Sequence, residues 1–190
     1  MTERPKVVVF DLDGTLWSPE MYELWGGGGA PFRHDGKHQQ HVLDRSNTKV
    51  KLLGESRAVL QLLHLDPNWK SSTIVAISST CDEPAWAREC LQLFALDDDR
   101  KVPFADVFRG YEHIYSDLKS NHFKKLLKEV QSVDPTIRND FSDFIFFDNQ
   151  TNNIKDVSKL GVTCVYCPEG MQPGVWEQGL VQWKKQHQSR

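Results

Sequence analysis

The sequence predicts an α/β fold organised as a doubly wound parallel sheet. Two observations carry the prediction: four short, continuously apolar runs, and amphipathic segments with helical spacing between them. Strands covered on both faces read as unbroken apolar runs, and parallel strands need crossovers that supply the covering helices.

The elements follow in order. Lys6 to Phe10 (KVVVF) ends at acidic and Gly residues and is the first strand. Residues from Trp17 to Lys49 break the rhythm with Gly26 to Gly29, Pro19, Pro31, His34, His38 and His41. That stretch is too polar and too Gly-rich for core elements, so an insert at about 17–50 is expected as a surface flap over a site. Glu55 to Leu65 gathers Ala58, Val59, Leu62, Leu63 and Leu65 near one helix face. Thr73 to Ile77 (TIVAI) is the second core strand, and Pro84 to Phe94 is a helix with Pro84 in its first turn. Asp97 to Lys101 (DDDRK) reads as a solvated turn, and a short strand is expected near Val107 and Phe108. Phe123, Leu126, Leu127 and Val130 mark another helix, before the strands Phe144 to Phe147 (FIFF) and Val162 to Tyr166 (VTCVY). Trp176, Leu180 and Trp183 are the expected buried face of a last helix. At 190 residues, one domain spanning 1–190 is expected.

Composition narrows the function. The chain is 39% hydrophobic and 26% charged with a net charge of −3, and it has no basic cluster. Neither a nucleic acid nor an anionic membrane is therefore an expected partner. No apolar run approaches the roughly 20 residues of a membrane span. The first strand begins at Lys6, which leaves no room for a signal peptide, so a cytoplasmic or nuclear protein is expected, with Cys81, Cys90, Cys164 and Cys167 as free thiols. Cys164 and Cys167 have redox-motif spacing, but they lie in or just after a strand, not at a helix N-terminus, and are expected in the core.

The chemistry is concentrated in Asp11-Leu12-Asp13-Gly14-Thr15, directly after the first strand. Open α/β sheets bind ligands beyond the carboxyl ends of their strands. Strand alternation would turn Asp11 and Asp13 to one side, facing a phosphate and a hard cation. An aspartate held there can attack phosphorus, while its neighbour protonates the leaving oxygen and then deprotonates water.

These residues resemble the DxDGT-type motif of the haloacid dehalogenase (HAD) superfamily, and the resemblance implies the rest of the site. Ser78, closing the second strand, would bind a phosphoryl oxygen, with Ser79 and Thr80 crowding the same spot; Thr80 and Glu83 are alternatively spaced as a capping box. Lys119 would neutralise charge on the nucleophile and the phosphoryl group. Asp148 and Asn149 after FIFF stand where the superfamily usually has two aspartates. Implied ligands of Mg²⁺ are Asp11, Asp148 and a backbone oxygen of Asp13, with Asn149 direct or through water. Within the superfamily the chain is similar to the small eukaryotic magnesium-dependent phosphatases, through VFDLDGTLW, Ser78 to Thr80, LQLFAL, Lys119 with His122-Phe123, FFDNQTNNI, DVSKLGVTC and Gly170-Met171. Gly14, Ser79 and Asn149 depart from that family, which usually has an aromatic residue, Arg and Asp there. The family is capless or nearly so.

The resemblance thus implies a magnesium-dependent phosphatase acting through an aspartyl phosphate on phosphotyrosine-like or sugar phosphates, free or on a phosphoprotein. A non-catalytic scaffold of the same fold is the alternative, supported by Asn149 alone. His34, Asp35, His38 and His41 could suggest zinc, but a polar Gly-rich loop collects histidines readily and has no paired Cys ligands nearby, so a solvated loop is expected.

Overall fold

The computed structural model describes residues 4–36 and 38–188, so the expected domain of 1–190 runs slightly past the described residues. After β1 (Val7–Phe10) comes the insert, with β2 (Trp17–Ser18), a 3-10 turn (Met21–Leu24), β3 (Arg33–Asp35), β4 (His38–Leu43) and β5 (Lys49–Leu52). The chain continues through α1 (Ser56–Leu65), α2 (Pro67–Lys70), β6 (Ile74–Ser79), α3 (Pro84–Leu93), α4 (Ala105–Phe108) and β7 (Glu112–Ile114). It ends with α5 (Lys119–Val133), β8 (Phe144–Asp148), α6 (Thr151–Ser158), β9 (Thr163–Tyr166) and α7 (Val175–Gln188).

The central sheet is parallel, in the order β7-β6-β1-β8-β9. Its apolar runs are continuous because both faces are covered. Val8, Phe10, Val75, Ile77, Ile145 and Phe147 face α1, α3 and α7, whereas Val7, Val9, Ala76, Phe144 and Phe146 face α5 and α6. Phe10 pairs with Ile77 on one side and Phe147 on the other, so the next residues along the three chains, Asp11, Ser78 and Asp148, arrive level with one another at the carboxyl end of the sheet. The strand order reverses beside β1, and this is where open sheets place their ligands.

The insert differs from the expected polar excursion. It is a four-stranded antiparallel sheet, order β2-β5-β4-β3, whose inner residues Trp17, Val42, Val50 and Leu52 join the main core. Trp17 stacks on Phe94 at 5.9 Å, and Phe32 meets Trp86 edge-on at 6.2 Å. The buried Asp44 carboxylate accepts from the amides of Gly29, Ser46 and Thr48, organising a turn that a Gly-rich sequence would otherwise leave loose. The strand expected near Val107 and Phe108 is instead α4. Arg109 and Gly110 both adopt positive φ, which ends that helix before β7 begins at Glu112. Thr80 and Glu83 form no capping box: α3 starts at Pro84 with no side-chain cap bond, and Glu83 accepts the Trp25 indole N–H. The four cysteines are free and buried, and no described helix is long and apolar enough to cross a membrane.

Gly179 shows how closely α7 is pressed onto the strands that carry the site. A Cβ there would lie 2.8 Å from the Phe147 ring and 3.1 Å from Val165 Cγ2. Phe147 cannot readily yield, because it stacks on Phe10 at 5.3 Å and meets Trp176 at 5.6 Å. Gly179→Ala gains about 1 kcal/mol of helix propensity but overpacks the core, which costs roughly 1–3 kcal/mol. The expected outcome is a net destabilisation of about 1 kcal/mol, read as a lower urea midpoint at unchanged slope; a midpoint that rises would mean the helix stands off the sheet.

Candidate functional site

The site forms because three parallel strands end together against the first turn of α5. Lys119 opens that helix, and its side chain is fully buried. Its Nζ donates to Asp11 Oδ1 at 2.6 Å and to Asp148 Oδ2 at 2.5 Å. The start of α5 is fixed by Asp156 of α6, whose carboxylate accepts from the Ser120 amide at 2.9 Å. Asp148 is further held by the Gln150 amide at 2.7 Å and by Asn153 Nδ2, which reaches both carboxylate oxygens at 3.0 and 3.3 Å. Asp11 Oδ2 accepts from the Thr15 hydroxyl at 3.2 Å.

Asp13 is held differently. The strand ends at Phe10, so alternation no longer governs residues 11 to 13; the turn does, with the amides of Thr15, Leu16 and Trp17 all directed at the Leu12 carbonyl. Asp13 consequently turns toward the insert, where Oδ1 accepts from the Trp17 indole at 2.7 Å and Oδ2 from the Met21 amide at 2.9 Å.

Asn149 lies over Gly14: a Cβ on Gly14, whose φ is +75°, would fall 2.2 Å from Asn149 Nδ2. Only glycine fits both the left-handed backbone and this contact. The Asn149 amide donates to Thr15 Oγ1 at 3.1 Å, and that hydroxyl lies 3.4 Å from Asn149 Oδ1. Asn149 therefore adjoins Asp11 through Thr15.

Of the two serines at the end of β6, Ser78 is on the face shared with α5, and its hydroxyl lies 3.1 Å from His122 Nδ1. Ser79 is on the other face and accepts from the Cys81 amide at 3.3 Å. The structure thus brings Asp11, Lys119 and Asp148 into direct contact, sets Asn149 beside them and Ser78 on the same face, and turns Asp13 and Ser79 toward the insert side. Sequence reasoning gave no role to Thr15, His122, Asn153 or Asp156. Of these, His122 had a signal, since it lies one helical turn after Lys119 and so shares its face.

Charge in this pocket is unbalanced. Asp11, Asp13 and Asp148 are buried, and Lys119 is the one cation in contact with them in the hydrogen bonds described. Burial, reinforced by the charge of Asp11, raises Asp148 to about 6 even though Lys119 and the Gln150 amide pull it down. Burial likewise lifts Asp13 to about 6 against the Met21 and Trp17 hydrogen bonds, and Asp11 adds repulsion. Burial alone would lower Lys119, but Asp11 and Asp148 outweigh it and hold the ammonium charged. His122 is lowered to about 4 by burial, then by His113 and Lys119, so it is neutral near pH 7. Two converging carboxylates with surplus negative charge are an all-oxygen donor set suited to a hard divalent cation such as Mg²⁺. The residues present fit that ion.

A carboxyl group raised on folding binds its proton more tightly in the native state, so it favours folding at low pH and loses that contribution as pH climbs through the folded value. For Asp13 the window runs from 3.8 to about 6. Asp13→Asn removes this titration. The stability of the variant relative to the metal-free parent is therefore expected to improve between about pH 4 and pH 6 and to level off above that, as measured by urea unfolding at several pH values. A flat difference would mean that Asp13 is not desolvated.

The chain has relatives among known proteins over most of its length. Residues 3–186 match the acid phosphatase family. The chain is 33% identical over 187 residues to magnesium-dependent phosphatase 1 of Homo sapiens, covering 97% of this chain and 90% of that one. It is 32% identical over 163 residues to a HAD-like hydrolase superfamily protein of Schizosaccharomyces pombe, covering 85% and 84%. Among solved structures, the fold is similar to the N-terminal part of a Bacteroides fragilis protein containing a phosphatase domain, solved with Mg. The TM-score is 0.53 at 17% identity, over 96% of this chain and 40% of that one. A Clostridium difficile chain gives 0.54 at 13%, over 96% and 93%. With a match over nearly its whole length and relatives above 30% identity, this chain belongs to the acid phosphatase family of HAD-like hydrolases.

Proposed function

We propose that the protein is a magnesium-dependent phosphatase that hydrolyses phosphate monoesters through an aspartyl phosphate on Asp11. The observation that carries this reading is the bifurcated contact of Lys119 with Asp11 and Asp148 at the ends of β1 and β8. It holds a carboxylate nucleophile, a positive charge and a cation-binding carboxylate within one buried cluster, and the magnesium dependence of the human relative supports the choice of ion.

Asp11 attacks phosphorus through a carboxylate oxygen whose direction Thr15 and Lys119 fix. Lys119 offsets the negative charge of the incoming phosphoryl group. Ser78 contributes a hydroxyl hydrogen to a phosphoryl oxygen. For that it must not spend its hydrogen on His122, so the neutral imidazole serves as the Nδ1–H tautomer, donating to Ser78 Oγ. Asp13 protonates the departing oxygen and then takes a proton from the water that releases phosphate. Asp11, Asp148 and the Asp13 carbonyl would hold Mg²⁺, which supplies charge stabilisation to the transferring phosphoryl group when bound.

The leaving group lies on the side of Asp13, where Met21 is followed by two exposed aromatic side chains. Tyr22 and Trp25 are 43% and 56% exposed and meet edge-on at 6.0 Å. Such a rim favours the ring of an aryl or sugar leaving group, so phosphotyrosine-like and sugar phosphates, free or on a protein, are the substrate class proposed.

The decisive experiment is turnover of a generic aryl phosphate with and without Mg²⁺, in the parent and in Asp11→Asn. Activity is expected only in the parent with Mg²⁺. The variant should keep its fold and lose at least about 10³-fold, because an amide cannot attack phosphorus. More than a few per cent of parental rate, deamidation excluded, would sink the assignment.

Asn149→Asp provides a further test. The new carboxylate would stand beside Asp11 across Thr15 and add anionic oxygen where negative charge already exceeds positive. The half-saturating Mg²⁺ concentration is expected to fall, with little change in maximal rate because repulsion of the phosphate offsets the gain. An unchanged or higher requirement would place position 149 away from the metal.

A further inference from the structure

A second donor cluster lies in the insert, outside the site above. His38 and His41 are three residues apart in β4, a spacing that sends two side chains to opposite faces of a regular strand. The β3–β4 ladder is not regular there. Arg33 pairs with Leu43 and His34 with Val42, but the next pair is Asp35 with His38, a register shift that leaves residues 39–41 without partners in β3. Bulges of this kind re-aim side chains. Here the two imidazoles come to lie stacked, with centroids 5.0 Å apart and planes 26° from parallel. His41 Nε2 is bonded to Asp35 Oδ2, and one ligating atom from each of Asp35, His38 and His41 lies within 4.8 Å of the others. His34 is not part of the group.

We propose that Asp35, His38 and His41 bind a divalent ion of the zinc class. Two imidazole nitrogens and one carboxylate oxygen form a donor set that suits Zn²⁺ and leaves a fourth, solvent-facing position for water. Mg²⁺, which prefers all-oxygen octahedra, is poorly served by it. Tetrahedral ligands at about 2.0–2.1 Å from zinc stand roughly 3.3 Å apart, so side-chain rotations alone bring the three atoms into place. The backbone is already braced. Arg100 Nη2 donates to the Gly36 carbonyl and reaches the His38 carbonyl at 3.5 Å, while Gln39 Nε2 donates to the Asp98 carbonyl at 3.0 Å. The ion takes the place of the hydrogen between His41 and Asp35, and also that of the Lys49 ammonium, 3.5 Å from Asp35 Oδ2. Lys49 is half exposed and can swing into solvent. Bound there, the ion would cross-link β3 to β4 across their turn.

The test uses the full chain, stripped of metal, saturated with Mg²⁺ and titrated with Zn²⁺ by calorimetry, with Co²⁺ as a visible-absorption probe. The parent is expected to bind one Zn²⁺ more than the double variant His38→Gln, His41→Gln, with a rise in melting temperature that the variant lacks and a Co²⁺ band that the variant loses. Far-ultraviolet circular dichroism checks that the variant is folded. Lys49→Ala removes the competing ammonium and is expected to tighten the parental site several-fold, a gain that misfolding cannot mimic. Equal stoichiometry in parent and double variant, or unchanged Zn²⁺ affinity in Lys49→Ala, would overturn the assignment.

Discussion

Lys119 stands against Asp11 and Asp148 with its side chain wholly removed from solvent, and most of the molecule's construction around the site can be traced to keeping that contact in place. Burying one ammonium with two carboxylates is unfavourable unless the geometry is good and the remaining lone pairs are satisfied. Here they are satisfied from several directions. Thr15 takes one oxygen of Asp11, the Gln150 amide and Asn153 take Asp148, and Asp156 fixes the helix turn from which Lys119 projects. These partners come from the loop after β1, from the turn after β8 and from α6, so the cluster ties together elements far apart in sequence. Even so, negative charge is in excess, and that excess is what suits the pocket to a divalent cation.

The insert is attached at the same place. Asp13 accepts from Trp17 and Met21, whose side chains are buried in the main core. Two contacts at α3 extend the attachment: Trp25 Nε1 donates to Glu83, just before the helix, and the Phe32 amide donates to Glu89 within it at 2.7 Å. Asp13, the general acid of the proposed mechanism, is positioned by the insert and moves with it. In a fold of this kind, any displacement of β2 and the following turn changes the desolvation of Asp13 and the aromatic rim formed by Tyr22 and Trp25 at once. In the proposed mechanism, leaving-group chemistry and leaving-group recognition are therefore coupled through one backbone segment.

How far the sequence discloses this depends on how each element signals itself. The central strands are legible because burial on both faces leaves KVVVF, TIVAI and FIFF without polar interruption, and register then aligns the residues that follow them. The insert is not, because its core contribution consists of short apolar pieces such as Val42 after His41 and Val50 between Lys49 and Lys51, and its turn depends on Asp44, an acidic residue that composition assigns to the surface. Val107 and Phe108 are an apolar pair too short to show a period, and the positive-φ residues Arg109 and Gly110 decide which element claims them. Asp11, Lys119 and Asp148 are found because they follow strands or open a helix. Asn153 acts on Asp148 and Asp156 on the Ser120 amide, and nothing in their spacing reports what they touch; His122 is signalled only by the helix face it shares with Lys119.

Gly14 and Asn149 can be understood together. Read along the chain they are separate departures from the family that this sequence resembles, 135 positions apart by subtraction of their numbers. In space they are a single contact, since the amide of Asn149 occupies the volume that any side chain at position 14 would fill. The backbone at Gly14 adds its own constraint through a positive φ. A larger residue at 14 would push the side chain at 149 off Thr15, and with it the hydroxyl that orients Asp11. Replacing Asn149 alone changes charge at constant shape, whereas replacing Gly14 alone changes shape at constant charge. In the proposed mechanism the first would alter the field at the cation and phosphate, and the second would disturb Asp11, the nucleophile. The composition of this site is thus set by the fit of two residues across one turn as well as by the ligands they surround.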